Sequence, residues 1–212
     1  IKEIKKSVFD SPLLPHQESG IRDSCALPYQ LHTDGNLSDD KKAFDIVFSA
    51  GNELFGSQSA GSPFNVYAPG KYAFNNENNR KLYEDVKAWS YAVRAGDEIK
   101  AQWPLENFEN NLYHLRVYGP NGFFREFSGD KNDPSVSVQL KYESNKNSPQ
   151  KFSGNIILLF KNLGDENHTI EISDNSYKNG KQSFVLNKMN TNEMVLDLSK
   201  NFNWYDISLK IK

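Results

Sequence analysis

Four histidines are the side chains best suited to proton or metal chemistry near neutral pH, and their spacing separates them. His16, His32, His114 and His168 stand far apart. None lies three to five residues from another, and neither a His-Glu-x-x-His nor a Cys-x-x-Cys pattern occurs, so no zinc-site signature is present. His114 falls on the strand face opposite Tyr113 and Leu115, which predicts a solvated or edge-facing histidine. There is no Gly-x-Ser-x-Gly elbow and no phosphate-cradling glycine loop. The single cysteine, Cys25, is followed by Ala26, Leu27 and Pro28. A buried structural thiol is expected there rather than a nucleophile, and one cysteine excludes an internal disulfide framework. Asp39-Asp40 and Asp130-Asn132-Asp133 offer hard oxygen ligands of the kind calcium takes. Neither has calcium-loop spacing, so solvated turns are expected. Asn167-His168-Thr169 fits the short Asn-x-Thr glycosylation pattern, which arises readily by chance. The sequence thus predicts no catalytic residue, no cofactor and no metal ligand.

Surface aromatics are the remaining cue. Gly119-Pro120-Asn121-Gly122-Phe123-Phe124 reads as a hairpin turn entering a strand. Adjacent Phe123 and Phe124 must point to opposite faces of that strand. One can join the core, and the other is exposed unless something covers it. With Arg125, they form a candidate interface, either for a neighbouring part of the parent protein, which is the favoured expectation, or for a lipid surface. Trp89, Trp103 and Trp204 offer stacking platforms if exposed, which would suit a free-standing carbohydrate or cell-surface binding module.

The elements that must position these residues are strands. Phe44, Ile46 and Phe48 alternate with Asp45, Val47 and Ser49. Val136, Val138, Leu140 and Tyr142 alternate with Ser137, Gln139 and Lys141, and Tyr205, Ile207, Leu209 and Ile211 do the same with Trp204, Asp206, Ser208 and Lys210. A period of two sends one set toward a core. Similar segments lie near 64–68, 112–118, 168–172 and 193–198. Turn clusters at Asp34-Gly35-Asn36, Gly119-Pro120-Asn121-Gly122 and Asn179-Gly180 separate them. Over 78–88, Leu82, Val86 and Trp89 share a helical face, while Trp89, Tyr91 and Val93 alternate as a strand would, so that segment is compatible with either. Asn111-Leu112-Tyr113-His114-Leu115 has an echo in Asn203-Trp204-Tyr205-Asp206-Ile207, and the order of apolar segments repeats around a polar stretch at 130–134. The expected fold is all-β, two tandem immunoglobulin-like β-sandwich domains at 21–129 and 135–212, the second shorter, joined by a linker at 130–134.

Composition agrees with a globular β protein: 37% apolar residues, 25% charged, and 14 Phe with 10 Tyr. The formal charge of −2 with both signs interspersed gives no basic field for nucleic acid. No stretch approaches the roughly 20 apolar residues of a membrane helix. With Ile1 at its start and no signal peptide, the chain reads as part of a longer or processed protein.

Several segments together resemble a known family. Gln17-Glu18-Ser19-Gly20-Ile21-Arg22 followed by Ala26-Leu27-Pro28-Tyr29-Gln30-Leu31-His32 is similar to the opening of the C-terminal domain of bacterial phosphocholine-type phospholipases C. So are Gly61-Ser62-Pro63-Phe64-Asn65-Val66-Tyr67, Tyr91-Ala92-Val93-Arg94-Ala95-Gly96 with Trp103, and most specifically the stretch from Tyr113 through Gly129. Asn162-Leu163-Gly164, Asn175-Ser176-Tyr177 and Trp204-Tyr205-Asp206 look like parts of a second copy. The resemblance implies a non-catalytic accessory module, one of two repeats following a metal-using catalytic domain of the alkaline-phosphatase type in an exported enzyme, secreted or periplasmic. It implies that residues 1–20 connect to that domain, and that the partners are the catalytic domain of the same polypeptide and phosphocholine lipid or a membrane surface. The chain departs from the pattern in longer loops at 49–60 and 75–80. It also has no second version of the strand that ends the first copy at Gly129.

Overall fold

A computed structural model describes residues 27–212 except 79, 146 and 147. Cys25, His16 and the 1–20 connection lie outside the described residues. Within them the chain is all-β, with four antiparallel sheets and only single 3-10 turns for helix.

In the N-terminal half, β1 (Leu31–Leu37), β2 (Ala43–Ala50) and β5 (Glu98–Pro104) form one sheet with β2 central. β3 (Ser62–Asn75), β4 (Lys81–Val93), β6 (Tyr113–Tyr118) and β7 (Phe124–Gly129) form another, ordered β4-β3-β6-β7. The alternation in β2 sends Phe44, Ile46 and Phe48 into a core that also takes Phe64 and Val66 of β3, Trp103 of β5, and Leu115 and Val117 of β6. Side chains of both sheets therefore meet in a single apolar cluster.

In the C-terminal half, β8 (Val136–Asn145), β9 (Ser148–Asn162) and β12 (Thr191–Leu196) form a sheet with β9 central. β10 (His168–Asp174), β11 (Lys181–Leu186) and β13 (Ile207–Ile211) form the last, with β10 central. A second, separate cluster gathers Leu158 and Phe160 of β9, Ile170 and Ile172 of β10, and Leu186. The strand order repeats: β8, β9 and β12 connect as β1, β2 and β5 do, and β10, β11 and β13 as β3, β4 and β6 do. β7 has no counterpart among the described residues.

The last strand is shorter than its alternation suggests: β13 begins at Ile207, and Trp204, Tyr205 and Asp206 lie in the loop before it. Two other places differ from the sequence pattern, each for a local reason. The helix-like spacing of Leu82, Val86 and Trp89 belongs to a strand, β4. Leu82 and Glu84 share one parity while Lys87, Trp89 and Tyr91 take the other, and the change falls at Val86. Val86 has φ 60 and lies where the pairing with β3 shifts between Ala68 and Lys71. The extra residue of this bulge lies in β3, where Pro69 and Gly70 stand opposite Val86. The left-handed backbone at Val86 puts the period-two pattern of β4 out of step, which imitates helical spacing. The expected turn at Asp34-Gly35-Asn36 instead lies inside β1. A Cβ on Gly35 would stand 2.7 Å from the Phe44 ring and 2.8 Å from that of Phe127. The glycine serves close ring packing on the strand rather than a turn.

Candidate interaction site

The two halves meet along two sheet-edge strands, β1 and β8. Edge strands leave unpaired backbone groups that invite association, and here side chains cover them. His32 Nδ1 lies 3.4 Å from the Leu140 carbonyl oxygen, and its ring tilts against Tyr142 at 5.4 Å. Gln139 Nε2 donates to Asp34 Oδ2 at 3.4 Å. Burial shifts each group toward its neutral form: the His32 pKa falls below its usual value and that of Asp34 rises. Tyr142 is pushed up to about 12 by burial and then by neighbouring Tyr205.

Arg125 on β7 spans the same seam. Its Nη2 donates to the Tyr205 hydroxyl at 2.9 Å and its Nη1 to the Phe124 carbonyl at 2.7 Å. The guanidinium lies 4.7 Å from the Phe123 ring centroid and 5.6 Å from that of Tyr205. An Arg held between two rings, one from each half, gains cation–π attraction without losing its donors. Phe123 itself packs on the first core, edge-on to Phe64 at 5.8 Å. Phe124 turns the other way, 40% exposed, with its ring 5.1 Å from that of Tyr118.

The 130–134 segment is tied down rather than loose. Asp133 Oδ2 accepts the Tyr113 hydroxyl at 2.6 Å and the Asp130 amide at 3.1 Å, while its carbonyl accepts Lys41 Nζ at 2.9 Å. Tyr113 is buried and stacked on Phe44 at 4.3 Å. Burial first, and the carboxylate second, hold its hydroxyl protonated far above the ordinary tyrosine range. The Asp130-Asn132-Asp133 cluster is therefore a structural turn: Asp130 Oδ1 accepts the Asn132 amide, and Asp133 faces Tyr113. Asp40 likewise accepts from Ser38 and the Lys42 amide. His114 lies on the exposed side of β6, with Nε2 2.6 Å from Glu126, which also accepts Arg116 Nε at 2.7 Å. Asn167 accepts the Lys188 amide through its side chain. Among the described residues no group of three or more His, Cys, Asp or Glu side chains converges to hold a metal ion.

A second feature lies in the C-terminal half, where a groove of about 360 Å³ runs between the 174–180 turn and the loop before β13, lined by Tyr177, Lys200 and Tyr205 among others. Asp206 of its lining is fixed by two residues of the 174–180 turn. Asn175 Nδ2 and Ser176 Oγ donate to the Asp206 carboxylate, and the Asn175 amide donates to the Asp206 carbonyl at 2.8 Å. Asp174 accepts the amides of Tyr177, Ser176 and Asn179, which hold its carboxyl below the usual range, the Tyr177 bond contributing most. The three tryptophans part company. Trp103 is 2% exposed and Trp89 packs edge-on against it at 5.6 Å, whereas Trp204 is 61% exposed.

The pattern reading singled out Phe123, Phe124 and Arg125. It did not single out Tyr142, Tyr205, Asp34 or Gln139, and it considered His32 only as a proton or metal group; all five join Arg125 at the seam. For Tyr142 and Tyr205 the only signal was strand parity, which assigns a face but not a neighbour.

Residues 24–130 match the family model of the bacterial phospholipase C C-terminal domain. The hemolytic phospholipase C of Pseudomonas aeruginosa is 29% identical over 213 residues, covering 95% of this chain and 27% of that protein. The non-hemolytic phospholipase C of the same organism is 26% identical over 204 residues, covering 92% of this chain and 26% of that protein. A non-hemolytic phospholipase C of Burkholderia pseudomallei is 26% identical over 200 residues, 92% of this chain and 25% of that protein. The chain spans about a quarter of the length of these relatives.

Proposed function

The chain belongs to the bacterial phospholipase C C-terminal domain family, and on that premise we propose that it is the non-catalytic accessory module of a phospholipase C. The module packs on the catalytic domain of the same polypeptide and aids contact with phosphocholine lipid. The observation that carries this reading is coverage: over nine tenths of the chain aligns to about a quarter of each relative. The hydrogen-bonded carboxylates and histidines described above are engaged in turns and strand faces, which supports a supporting rather than a catalytic role. We read the chain as two immunoglobulin-like sandwich domains at 21–129 and 135–212, a division supported by the two separate cores and the repeated strand order. Residues 1–20 would connect to the catalytic domain. The parent enzyme is proposed to be exported, secreted or periplasmic; a relative named for hemolysis supports this.

A chimera tests the reading. The last quarter of the hemolytic Pseudomonas enzyme is replaced by this chain, and hydrolysis of a chromogenic phosphocholine ester is measured beside the truncated enzyme and the chain alone. Activity and solubility restored in the chimera, with no turnover by the chain alone, are expected. Turnover that tracks the pure chain would remove the non-catalytic assignment, and a chimera no better than the truncated enzyme would remove the packing role. The carbohydrate-binding reading loses two of its three platforms, because Trp89 and Trp103 pack together at the first core.

A further inference from the structure

We infer that the 199–206 loop is a lipid anchor that seats Phe202 and Trp204 in the headgroup region of a zwitterionic bilayer. The inference deepens the accessory-module reading and rests on it.

Isolated apolar side chains on a surface are ordinary. This pair is not isolated. Phe202 is 87% exposed and Trp204 61%, two residues apart on one tight turn. Phe202 and Asn203 both adopt the left-handed conformation, with φ 55 and φ 63. That region is unfavourable for a bulky side chain and persists only where the surroundings impose it. The surroundings here are explicit. Leu198 and Asn201 are buried beneath the turn. The amides of Asn201 and Asn203 both donate to the Leu198 carbonyl, at 2.8 and 3.1 Å, and the Trp204 amide donates to Asn201 at 3.0 Å. Asn155 Oδ1 accepts the Leu198 amide at 2.9 Å. Gly154, at φ +95, leaves the space that Asn203 occupies: a Cβ there would stand 2.6 Å from its Oδ1. A frame of buried and hydrogen-bonded groups thus holds two large aromatics out of the core at a conformational cost.

The loop also adjoins the seam. Tyr205 follows Trp204 and accepts Arg125, whose chain neighbour Phe124 is 40% exposed beside Tyr118, itself 41% exposed. Aromatics from both halves therefore border the Arg125–Tyr205 bridge. Local charge selects the kind of surface. Lys200 is the only cation within the loop, and Asp197 and Asp206 flank it in sequence. The adjoining Arg125 is taken up by Tyr205 and the Phe123 ring, so the loop itself offers no basic cluster for anionic lipid. Trp is at home where an apolar ring meets a polar headgroup layer. A protein partner would require a broad complementary face of about 800 Å². A protruding turn, with Asn203 between its two rings, suits a deformable medium better.

The test uses the 212-residue chain with phosphatidylcholine vesicles, some carrying bromine on their acyl chains. Binding with bromine quenching of Trp204, while buried Trp103 stays unquenched, is expected. The double variant Phe202→Gly, Trp204→Ala should keep its fold, since glycine suits the backbone at 202 and residue 204 is exposed. Its partition coefficient should fall about tenfold or more, as for loss of two interfacial aromatics. Val185→Ser, on an exposed residue elsewhere, should change nothing. No vesicle binding by the unmodified chain, or equal binding by the double variant, would overturn the anchor. So would a double variant whose chimera loses hydrolysis of the soluble ester, because the loop would then be docking on protein. If the unmodified chimera restores activity and vesicle binding ignores the loop, only the anchor falls. If binding depends on the loop and the chimera fails, the accessory-module reading falls instead.

Discussion

The two halves of the molecule run through the same strand order and spend their aromatic residues differently. The N-terminal half buries Phe44, Phe48, Phe64, Trp103 and Tyr113 in one cluster, many of them in ring contact, as Phe48 is with Phe64 at 5.3 Å and with Tyr91 at 4.9 Å. The C-terminal core is largely aliphatic, built on Leu158, Ile170, Ile172 and Leu186 around Phe160. Its tryptophan and Phe202 stand outside instead. One topology can thus be filled in two ways, because period-two patterning specifies which face is buried but leaves the volume and shape of the fill open. The family model matches the aromatic-filled half, residues 24–130.

The largest expected contrast sets one tryptophan against another. Trp103→Ala removes the indole from a closed core and should cost about 3–5 kcal/mol, whereas Trp204→Ala should stay within about 0.5 kcal/mol. Urea unfolding followed by circular dichroism measures both, and equal costs would break the comparison between the halves. Next in size is the tie at 130–134. Tyr113→Phe leaves Asp133 without its phenol donor and should cost about 1.5–3 kcal/mol in the same assay. An unchanged midpoint would show the segment to be free of the first half.

The bridge between the halves should matter somewhat less. Arg125→Ala is expected to cost about 1–2 kcal/mol from a cation–π contact and a hydrogen bond. A double-mutant cycle with Tyr205→Phe should return coupling of about 0.5–2 kcal/mol; additive effects would mean that the halves merely lie side by side. His32 adds a pH dependence of the seam. Its folded pKa is lowered, so its contribution is complete above its unfolded value near 6.5 and is lost as pH falls from there through the folded value. Asp34, with a raised folded pKa, works in the opposite direction, losing stability as pH rises from 3.8 through its folded value. Thermal melts from pH 7.5 downward should show a decline beginning near 6.5 that His32→Gln flattens. The smallest effect is a gain: Phe202→Gly relieves left-handed strain and should raise stability by up to about 1 kcal/mol.

Much of the fold was legible because strands advertise themselves locally. Phe44, Ile46 and Phe48 alternate with Asp45, Val47 and Ser49, which marks one face of a strand. The bulge opposite Val86 was not legible, since a left-handed residue inside a strand looks like a change of period. Gly35 misled for a related reason: a glycine suits both a turn and a close approach of rings, and only the positions of Phe44 and Phe127 distinguish them. Of the candidate site, the opposite facing of Phe123 and Phe124 follows from adjacency in an extended chain. That Arg125 would meet Tyr205, 80 residues on, does not.

The sequence by itself determined an all-β chain, the membership of most core faces and the family likeness, because these depend on periodicity and on short contiguous motifs. Tertiary structure alone decided which half would bury its tryptophan and which would display it. It also decided that Asn175-Ser176 would lock onto Asp206, that β1 would lie against β8, and that Phe202 would be held outward by buried Leu198 and Asn201. The physical reason is the same in each case. Alternation assigns a side chain to a face, and only the packing of one element on another determines what that face meets.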